Sequence, residues 1–390
     1  MGATTSAELR AHNRARLLRA VHDCGASRTR SQLTRDLELA RGTASVLVGE
    51  LAADALLHEE PTEGHGRGRP TQIPGPHPDG PLVLAADLRE DAWEIAACEL
   101  GGRMTALETS GHDGTPSGVL GPLGAALRRF TGPRVVGVGL AVAGPVRHDN
   151  TVDIAHLGWG EVDLGEPLGL GVPLLVGNDA RLAGLAEARR GRLQGVGVGL
   201  HLHVDFDLGG TLLVGGSPLT GASGTSGEFG HMPMGGDPSI VCMCGARGCW
   251  GQLVGSNALL RAFGMEAGYG RGREEAERIL VAAARGDAAA MAAVTENARA
   301  LGAGAGALVN ALDPEAVTLS GTAVEVFILA GTAVREAYVE GLMAFRRSSP
   351  APISTSALGR RGPLIGAMES VFDAFLTPEG VEGWRAKQSS

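Results

Sequence analysis

The sequence is poor in lysine and in aromatic residues. Lys387 is the single lysine among its 34 basic residues, so contacts to phosphates or carboxylates must use arginine, histidine or backbone amides. Aromatic side chains make up 4% of the 390 residues, whereas glycine occurs 61 times. This balance predicts many turns and packing through small residues, and a hydrophobic content of 44% is sufficient for large cores.

Long apolar runs are missing as well. The longest, Val135 to Ala143, is too short to span a bilayer. Polar and charged residues follow soon after Met1, so we expect no secretory signal and no contact with a membrane. A chain of this length predicts two or three domains.

The negative charge is unevenly distributed along the chain. The formal net charge is -9, but residues 1–70 contain 10 arginines against 9 acidic residues. An acidic body with a near-neutral N-terminal part is compatible with local contact to nucleic acid and not with a uniformly basic binding surface.

Cysteine is scarce, but three of the 5 cysteines fall within eight residues. With one upstream histidine they form the pattern H-x10-C-x-C-x4-C. One imidazole and three thiolates are the ligand set of a structural zinc site, and clustered thiolates require a reducing compartment, so we expect a cytoplasmic protein. The alternatives are buried structural cysteines or a strained disulfide that leaves one sulfur over. The predicted zinc ligands are His231, Cys242, Cys244 and Cys249.

Residues 1–74 carry the pattern of a winged helix-turn-helix. Apolar residues recur at helical spacing in three short segments, and Ser27 can cap the second of them. A glycine-rich hairpin follows, and this order is typical of a DNA-binding domain. Helices are predicted at residues 7–23, 27–37 and 41–55, and the hairpin strands at 56–58 and 71–73.

Candidate DNA contacts lie at the start of the third helix and at the hairpin tip. Base contacts concentrate at the N-terminal end of a recognition helix, and arginines on a wing suit the minor groove or phosphates. The alternative is that the helix arginine is a solvated charge and the G-R-G-R-P segment a plain linker. The predicted contacts are Arg41, Thr43, Ser45, Arg67 and Arg69.

A Pro- and Gly-rich linker at residues 75–81 leads into a second part, residues 82–390. Strands alternate with helices there, which predicts an α/β body. We expect the N-terminal unit to fold without this body. Strands are predicted at residues 82–87, 92–98, 135–143, 174–176, 196–204, 211–214 and 316–319, and helices at 180–190 and, with breaks, 257–312.

Glu228 precedes His231 in an E-x-G-H motif, and C-x-C-G-x-x-G-C follows. These motifs resemble the signature of the ROK family, which contains sugar kinases and sugar-responsive repressors. The resemblance covers nearly the whole chain and implies a winged helix-turn-helix before a two-lobed actin-like ATPase (ribonuclease H-like) body. The chain departs from the family at Glu38 and Ala40, where a glycine and a capping serine usually precede the recognition helix.

The resemblance also implies the residues of a sugar site. The Asn-Asp pair after the strand at 174–176 matches the family's sugar-binding pair, whose aspartate is the catalytic base in the kinases. An ordinary helix cap is the alternative for this aspartate. In the family the zinc histidine also touches the ligand. The implied effector-binding residues are Gly144, Asn178, Asp179, Glu228 and His231.

Other departures concern the nucleotide. Where the kinases have D-x-G-G-T and T-x-G-x-G-x-G, this chain has residues 87–91 and 203–210, with acidic side chains where phosphates need open backbone amides. Residues 319–322 lack the usual glycine pair near the adenosine. Gly251 stands where the family usually has a glutamate, so one expected sugar contact is missing.

Degraded nucleotide loops beside an intact sugar motif predict a transcriptional regulator that senses a sugar and is not an enzyme, and we expect it to be a repressor. Its expected partners are operator DNA and further copies of the chain, as a homodimer or homotetramer, because paired operator half-sites require paired wings. Two alternatives stay open: an active sugar kinase with a DNA-binding appendage, in which Asp179 is the catalytic base, and a regulator without a sugar effector.

Overall fold

The computed structural model describes residues 6–61, 72–235, 239–268 and 271–388. Its N-terminal part is a winged helix-turn-helix, as predicted. The three helices bury a common apolar face that includes Leu17, Leu33, Leu47 and Leu51. The elements are α1 (Ser6–Asp23), α2 (Arg30–Asp36), α3 (Arg41–Ala53), β1 (Leu57–Pro61) and β2 (Gln72–Pro76).

Thr29, and not Ser27, caps α2. The Thr29 hydroxyl accepts the backbone N–H of Gln32 (3.3 Å), and the Gln32 side chain accepts the backbone N–H of Thr29 (2.8 Å). This reciprocal arrangement is a capping box. Ser27 instead donates to the carbonyl oxygen of Cys24. The spacing Thr29-x-x-Gln32 carried this signal in the sequence, and the prediction of Ser27 overlooked it.

The turn before α3, the predicted recognition helix, has an unfavourable sequence. Glu38 adopts a left-handed backbone conformation, with φ at 55°, which favours glycine. Ala40 occupies the N-cap of α3 and has no side chain that could accept a hydrogen bond from the first turn. Both departures from the family pattern therefore have a local energetic cost.

Replacing Glu38 with glycine or Ala40 with serine is expected to stabilise the protein. Glycine removes the left-handed strain, offset in part by chain entropy, and serine supplies the missing cap. We expect each change to raise the free energy of unfolding by roughly 0.5–1 kcal/mol, measured by urea denaturation. Ala52→Ser inside α3 is the control and should give no gain. An Ala40→Ser protein no more stable than wild type would contradict the capping argument.

The wing begins with β1 and β2, which pair antiparallel with Leu57 opposite Pro76. The hairpin tip that contains Arg67 and Arg69 lies outside the described residues, so both contacts stay predictions. β2 continues to Pro76. The segment predicted as a linker, residues 75–81, therefore begins inside this strand.

The first lobe of the body is built on a five-stranded sheet. Its elements are β3 (Leu82–Leu88), β4 (Ala92–Glu99), β5 (Met104–Gly111), α4 (Pro116–Phe130), β6 (Val135–Val142), β7 (Thr151–Ile154), β8 (Trp159–Asp163), α5 (Gly165–Leu168), β9 (Leu174–Asn178) and α6 (Asp179–Arg190). The strand order is β5-β4-β3-β6-β9, and β3, β6 and β9 run parallel. The carboxyl ends of these three strands meet at one edge, where ligand sites form in α/β sheets.

The second lobe has a sheet of its own with the order β12-β11-β10-β13-β14. Its elements are β10 (Val198–Val204), β11 (Leu208–Val214), β12 (Ser217–Pro218), α7 (Gly255–Ala262), α8 (Arg273–Ala284), α9 (Ala288–Leu312), β13 (Ala316–Gly321), α10 (Ala323–Gly341) and β14 (Ile353–Thr355). The helical breaks predicted near residues 264–272 and 286 are confirmed by the gaps between α7, α8 and α9.

The last two helices return to the first lobe and to the N-terminal unit. They are α11 (Gly362–Phe375), which packs on α6 and β6, and α12 (Pro378–Gln388), which packs on α1. Leu18 of α1, Cys98 of β4 and Phe372 of α11 belong to one apolar core. The buried Trp384 of α12 donates its indole N–H to the backbone carbonyl of Asp54 (2.9 Å). The body therefore covers part of the apolar surface of the N-terminal unit, and the expectation that this unit folds by itself stays a prediction.

Of the helices in the described residues, none combines the length and the apolar content needed to cross a lipid bilayer.

Candidate functional site between the two lobes

A cavity of about 380 Å³ lies between the two lobes. Strand ends of the first lobe line one side of it, and the β10–β11 turn and the cysteine-rich segment of the second lobe line the other. All effector-binding residues implied by the sequence border this one cavity. They are Gly144, Asn178, Asp179, Glu228 and His231.

The first-lobe wall is organised by the start of α6. Asn178 caps this helix by accepting the backbone N–H of Arg181 (2.9 Å), and its side-chain amide donates to the carbonyl of Gly144 (3.1 Å). A Cβ atom on Gly144 would lie 2.8 Å from the carbonyl oxygen of Asp153, so only glycine allows this close approach. The helix cap is thus Asn178, which leaves Asp179 free for another role.

Asp179 accepts the backbone N–H of Ala180 (2.7 Å) and the side-chain amide of Asn178 (3.1 Å). Burial raises the pKa of Asp179 to about 7, and the nearby Asp205 adds to this effect. A carboxyl group that titrates near neutral pH can accept a proton from a sugar hydroxyl or share a hydrogen bond with it.

On the second-lobe wall, Glu228 precedes a single 3-10 turn and His231 is its last residue, with 3.8 Å between Glu228 Oε2 and His231 Nε2. Burial raises the pKa of Glu228 to about 7, and Asp179 across the cavity adds to the increase. The E-x-G-H motif therefore holds a carboxyl group and an imidazole beside each other.

The predicted zinc ligands form one cluster. Each of the four offers a ligand atom, and these atoms all lie within 4.8 Å of one another. Cys242 Sγ lies 3.7 Å from His231 Nδ1, and Cys244 Sγ lies 3.7 Å from Cys249 Sγ. A tetrahedral zinc with bonds of about 2.3 Å to sulfur requires ligand separations of about 3.8 Å. The donor set and its spacing therefore fit a structural zinc ion, and the cluster could hold this metal.

Replacing Cys244 with serine is expected to lower the zinc content and to destabilise the second lobe. The loss of one thiolate leaves three ligands for an ion that structural sites bind with four. The measurements are metal analysis of the purified protein and thermal unfolding. Cys24→Ser is the control, because Cys24 lies in the N-terminal unit and donates to the carbonyl of Val21. Full zinc content in Cys244→Ser would show that Cys244 is not a ligand.

Two further residues at the cavity were not predicted as ligand contacts. His156 follows β7 in the first lobe, Asp207 lies in the β10–β11 turn, and 3.5 Å separates His156 Nε2 from Asp207 Oδ2. The sequence marked Asp207 only as an acid in a degraded loop, and no spacing pointed to His156. Trp159 also borders the cavity, but it is buried and donates its indole N–H to the carbonyl of Gly114 (2.7 Å), so its main role is packing.

A second, adjacent cavity of about 260 Å³ lies where residues 87–91 and 203–210 converge. Arg273 of α8 crosses it and contacts Asp91 of the first lobe (2.7 Å) and Asp205 of the second lobe (2.9 and 3.0 Å). Burial would raise the pKa of Asp205, but Arg273 holds it below its ordinary value. The guanidinium group also lies over the ring of Phe206, 4.8 Å from the ring centre. The ion pairs of Arg273 thus connect the two lobes at the second cavity.

The far end of α6 reaches the N-terminal unit. Arg190 donates to the Glu369 carboxylate of α11 (2.6 Å) and to the backbone carbonyl of His22 in α1 (2.8 Å), and His22 Nε2 lies 3.1 Å from Glu369. His22 and Glu369 are fully buried. Although burial alone would raise the pKa of Glu369, its contacts with His22 and Arg190 hold it below its ordinary value. One helix therefore connects the cavity, at Asp179, with α1.

The predicted DNA contacts on α3 face outward. Arg41, Thr43 and Ser45 are exposed on its first turns, whereas Ala44 lies in the core. The neighbouring Val46, which was not predicted as a contact, is 55% exposed on the same part of the helix. The structure leaves this surface open, which is compatible with entry into a DNA groove.

Comparison with known proteins identifies a family and several relatives. The ROK family profile matches residues 124–373. A glucokinase from Streptomyces coelicolor is 29% identical over 274 residues, which are 65% of this chain and 86% of that protein. The xylose repressor of Bacillus subtilis is 24% identical over 245 residues, 62% of each chain.

Among solved structures, a ROK family transcriptional regulator described as a homologue of the E. coli MLC protein is similar over 96% of this chain and 100% of its own, with a TM-score of 0.73 and 24% identity. This likeness extends over the N-terminal unit as well as both lobes, and it supports the fold of a winged helix-turn-helix followed by a two-lobed actin-like body. The chain belongs to the ROK family.

Proposed function

We propose that this protein is a DNA-binding transcriptional regulator, acting as a repressor, that senses a sugar or sugar derivative and lacks kinase activity. The winged helix-turn-helix binds operator DNA, and the cavity between the lobes binds the sugar. The cysteine-rich cluster holds a structural zinc ion, and the protein works in the cytoplasm as a homodimer or homotetramer. The proposed DNA contacts are Arg41, Thr43, Ser45, Arg67 and Arg69.

The contrast between the two adjacent cavities carries this proposal. The first cavity keeps the polar residues that suit a sugar. In the second, a phosphate tail would have to displace Arg273 from Asp205 and Asp91, and the acidic side chains of Asp87 and Glu90 line the same space as Arg89 and Arg360. Breaking these partly buried ion pairs opposes nucleotide binding. A sensor that binds sugar without nucleotide accounts for both features.

Helix α6 supports a route from sugar to DNA. Asp179 at its first turn borders the sugar cavity, and Arg190 at its last turn contacts α1 through the backbone of His22. A sugar that favours closure of the lobes would move α6 and change the spacing of the two recognition helices in a dimer. Operator half-sites tolerate little change in the spacing of the two recognition helices. To release the DNA, the sugar must bind the conformation that does not fit the operator more tightly than the one that does.

An active sugar kinase is the second candidate. It is favoured by the similarity to a glucokinase, at 29% identity, and by the position of Asp179, whose pKa near 7 suits a general base. This candidate requires the ion pairs of Arg273 to open for a nucleotide.

The test of the regulator is fluorescence anisotropy of the full chain on DNA from upstream of its own gene. Titrations are made at one salt concentration, without sugar and with D-glucose or D-xylose. We expect nanomolar binding that one sugar releases. Specific binding that neither sugar changes would favour a regulator with another signal, and the absence of specific binding would contradict the proposal.

An ATP-dependent phosphorylation assay with the same sugars distinguishes the kinase. The expected result is no turnover above that of an Asp179→Ala variant. Robust formation of sugar phosphate by the wild-type protein would overturn the claim that kinase activity is lost.

A further inference from the structure

Asp207 lies beside Gly251, the position where the family usually has a glutamate. A Cβ atom built on Gly251 would lie 3.7 Å from both Cβ and Cγ of Asp207, and 3.3 Å from the carbonyl oxygen of Gly230. A longer side chain at position 251 would therefore extend against Asp207. A carboxyl group from the β10–β11 turn thus lies next to the position where the family usually places one.

Asp207 and His156 also present unused polar atoms. Asp207 Oδ1 and His156 Nδ1 are buried, and neither has a hydrogen-bond partner among the described residues. Buried polar atoms without partners are costly, and each needs an explanation. Both residues line the sugar cavity, one from each lobe. A ligand hydroxyl group that reached either atom would supply the missing hydrogen bond.

The charges around the cavity restrict the ligand. Its lining includes the carboxyl groups of six residues, and no arginine is found among its described lining residues. Only Asp153 and Asp205 have guanidinium partners within salt-bridge distance, namely Arg147 and Arg273. A phosphate or carboxylate on the ligand would find no guanidinium group among these described lining residues, whereas hydroxyl groups would find hydrogen-bond acceptors. The six acidic residues are Glu90, Asp153, Asp179, Asp205, Asp207 and Glu228.

We propose that Asp207 and His156 form a specificity-determining pair that binds a hydroxyl group of the sugar, and that Asp207 takes over the role of the absent glutamate at position 251. The pair selects an unphosphorylated, uncharged sugar against acidic or phosphorylated ones. This inference rests on the proposed sugar-sensing function, because it assigns residues and ligand chemistry to the same cavity.

The test measures binding of D-glucose, D-xylose and glucose 6-phosphate to the full chain by calorimetry. We expect wild type to bind one of the neutral sugars and to bind the phosphate at least 10-fold more weakly. Asp207→Asn keeps the shape of the side chain but loses its charge, and it should weaken binding of the sugar about 10- to 100-fold, the usual range for a hydrogen bond to a charged group. Asp313→Asn, a change at an exposed carboxylate outside the cavity, is the control.

Deoxy sugars separate direct contact from a structural effect. If Asp207 binds one hydroxyl group, the analogue of the binding sugar that lacks this hydroxyl should bind wild type and Asp207→Asn with equal affinity. A general disturbance of the cavity would weaken every analogue to the same extent.

Exchange of the carboxylate between the two positions gives a second test. Gly251→Glu alone should bind the sugar more than 10-fold more weakly than wild type, because the new side chain meets Asp207. Asp207→Gly alone should also bind the sugar more weakly. The double variant should regain most of the lost affinity.

The outcomes of these tests are distinct. Wild-type sugar binding that Asp207→Asn leaves unchanged would overturn this inference and leave the proposed function intact. Failure of the wild-type protein to bind either neutral sugar would contradict the sugar-sensing part of the proposed function, and with it this inference.

Discussion

Replacing Asp179 with asparagine is expected to stabilise the ligand-free protein at pH 8 and, at the same time, to remove its response to sugar. The amide can still accept the N–H of Ala180, as the carboxylate does (2.7 Å). It cannot take a proton from a sugar hydroxyl or bind it through a full negative charge. A gain in stability with a loss of function is typical of residues kept for binding rather than for folding.

The sign of the stability change follows from the pKa. Burial raises the pKa of Asp179 from 3.8 to about 7 in the folded protein. Between these two pH values the folded state binds more protons than the unfolded state, so wild-type stability falls as the pH rises. Above pH 7 the ionised Asp179 lowers the free energy of unfolding by its full amount, about 2–4 kcal/mol at 1.36 kcal/mol per pKa unit. The free energy of unfolding of Asp179→Asn should therefore equal that of wild type near pH 4 and exceed it at pH 8.

Asp87→Asn is the matched control for this prediction. Burial also raises the pKa of Asp87 to about 7, but Asp87 lines only the second cavity. This variant should gain stability at pH 8 in the same way and keep the response to sugar. Urea denaturation at pH 4 to 8 and the anisotropy assay measure the two effects. An Asp179→Asn protein less stable than wild type at pH 8 would contradict the argument.

Replacing Arg190 and Glu369 together with methionine is expected to leave a folded protein whose DNA binding no longer responds to sugar. The pair connects the end of α6 with α11 and with His22 of α1. Arg190→Met alone should cost about 3–5 kcal/mol of unfolding free energy, because Glu369 stays buried without its guanidinium partner. The double variant replaces both charges with apolar groups and should recover most of this loss.

The measured quantity is the ratio of the DNA dissociation constants with and without sugar. Coupling between two sites typically amounts to about 5- to 150-fold, and the double variant should bring this ratio close to one while sugar and DNA each still bind. Arg299→Met with Glu296→Met, an exposed pair on α9, is the control and should keep the wild-type ratio. A folded Arg190→Met/Glu369→Met protein with unchanged coupling would show that the signal travels by another route.

Some elements could not be predicted from the sequence. α4 contains Pro122 and several glycines, which obscure its helical pattern, although its apolar face is buried. β5 forms the edge of the first-lobe sheet and does not alternate clearly between apolar and polar residues. Pairing with β4 decides its conformation, and intrinsic preference contributes little at such an edge.

The sequence by itself determined the features whose residues are close along the chain. The four candidate metal ligands lie within residues 231–249, the Asn178-Asp179 pair follows a strand, and the helix-turn-helix occupies one continuous segment. Local spacing fixes their geometry, because a few residues of backbone leave limited freedom for their side chains.

Only the tertiary structure decided which distant residues meet. His22 and Glu369 are 347 positions apart, and Asp207 reaches the space beside Gly251 only because β10, β11 and the cysteine-rich segment fold together. The shared core of the N-terminal unit and the body has the same origin. Such contacts follow from how helices and sheets pack. The periodicity of one segment shows that it has an apolar face, but not which other segment covers that face.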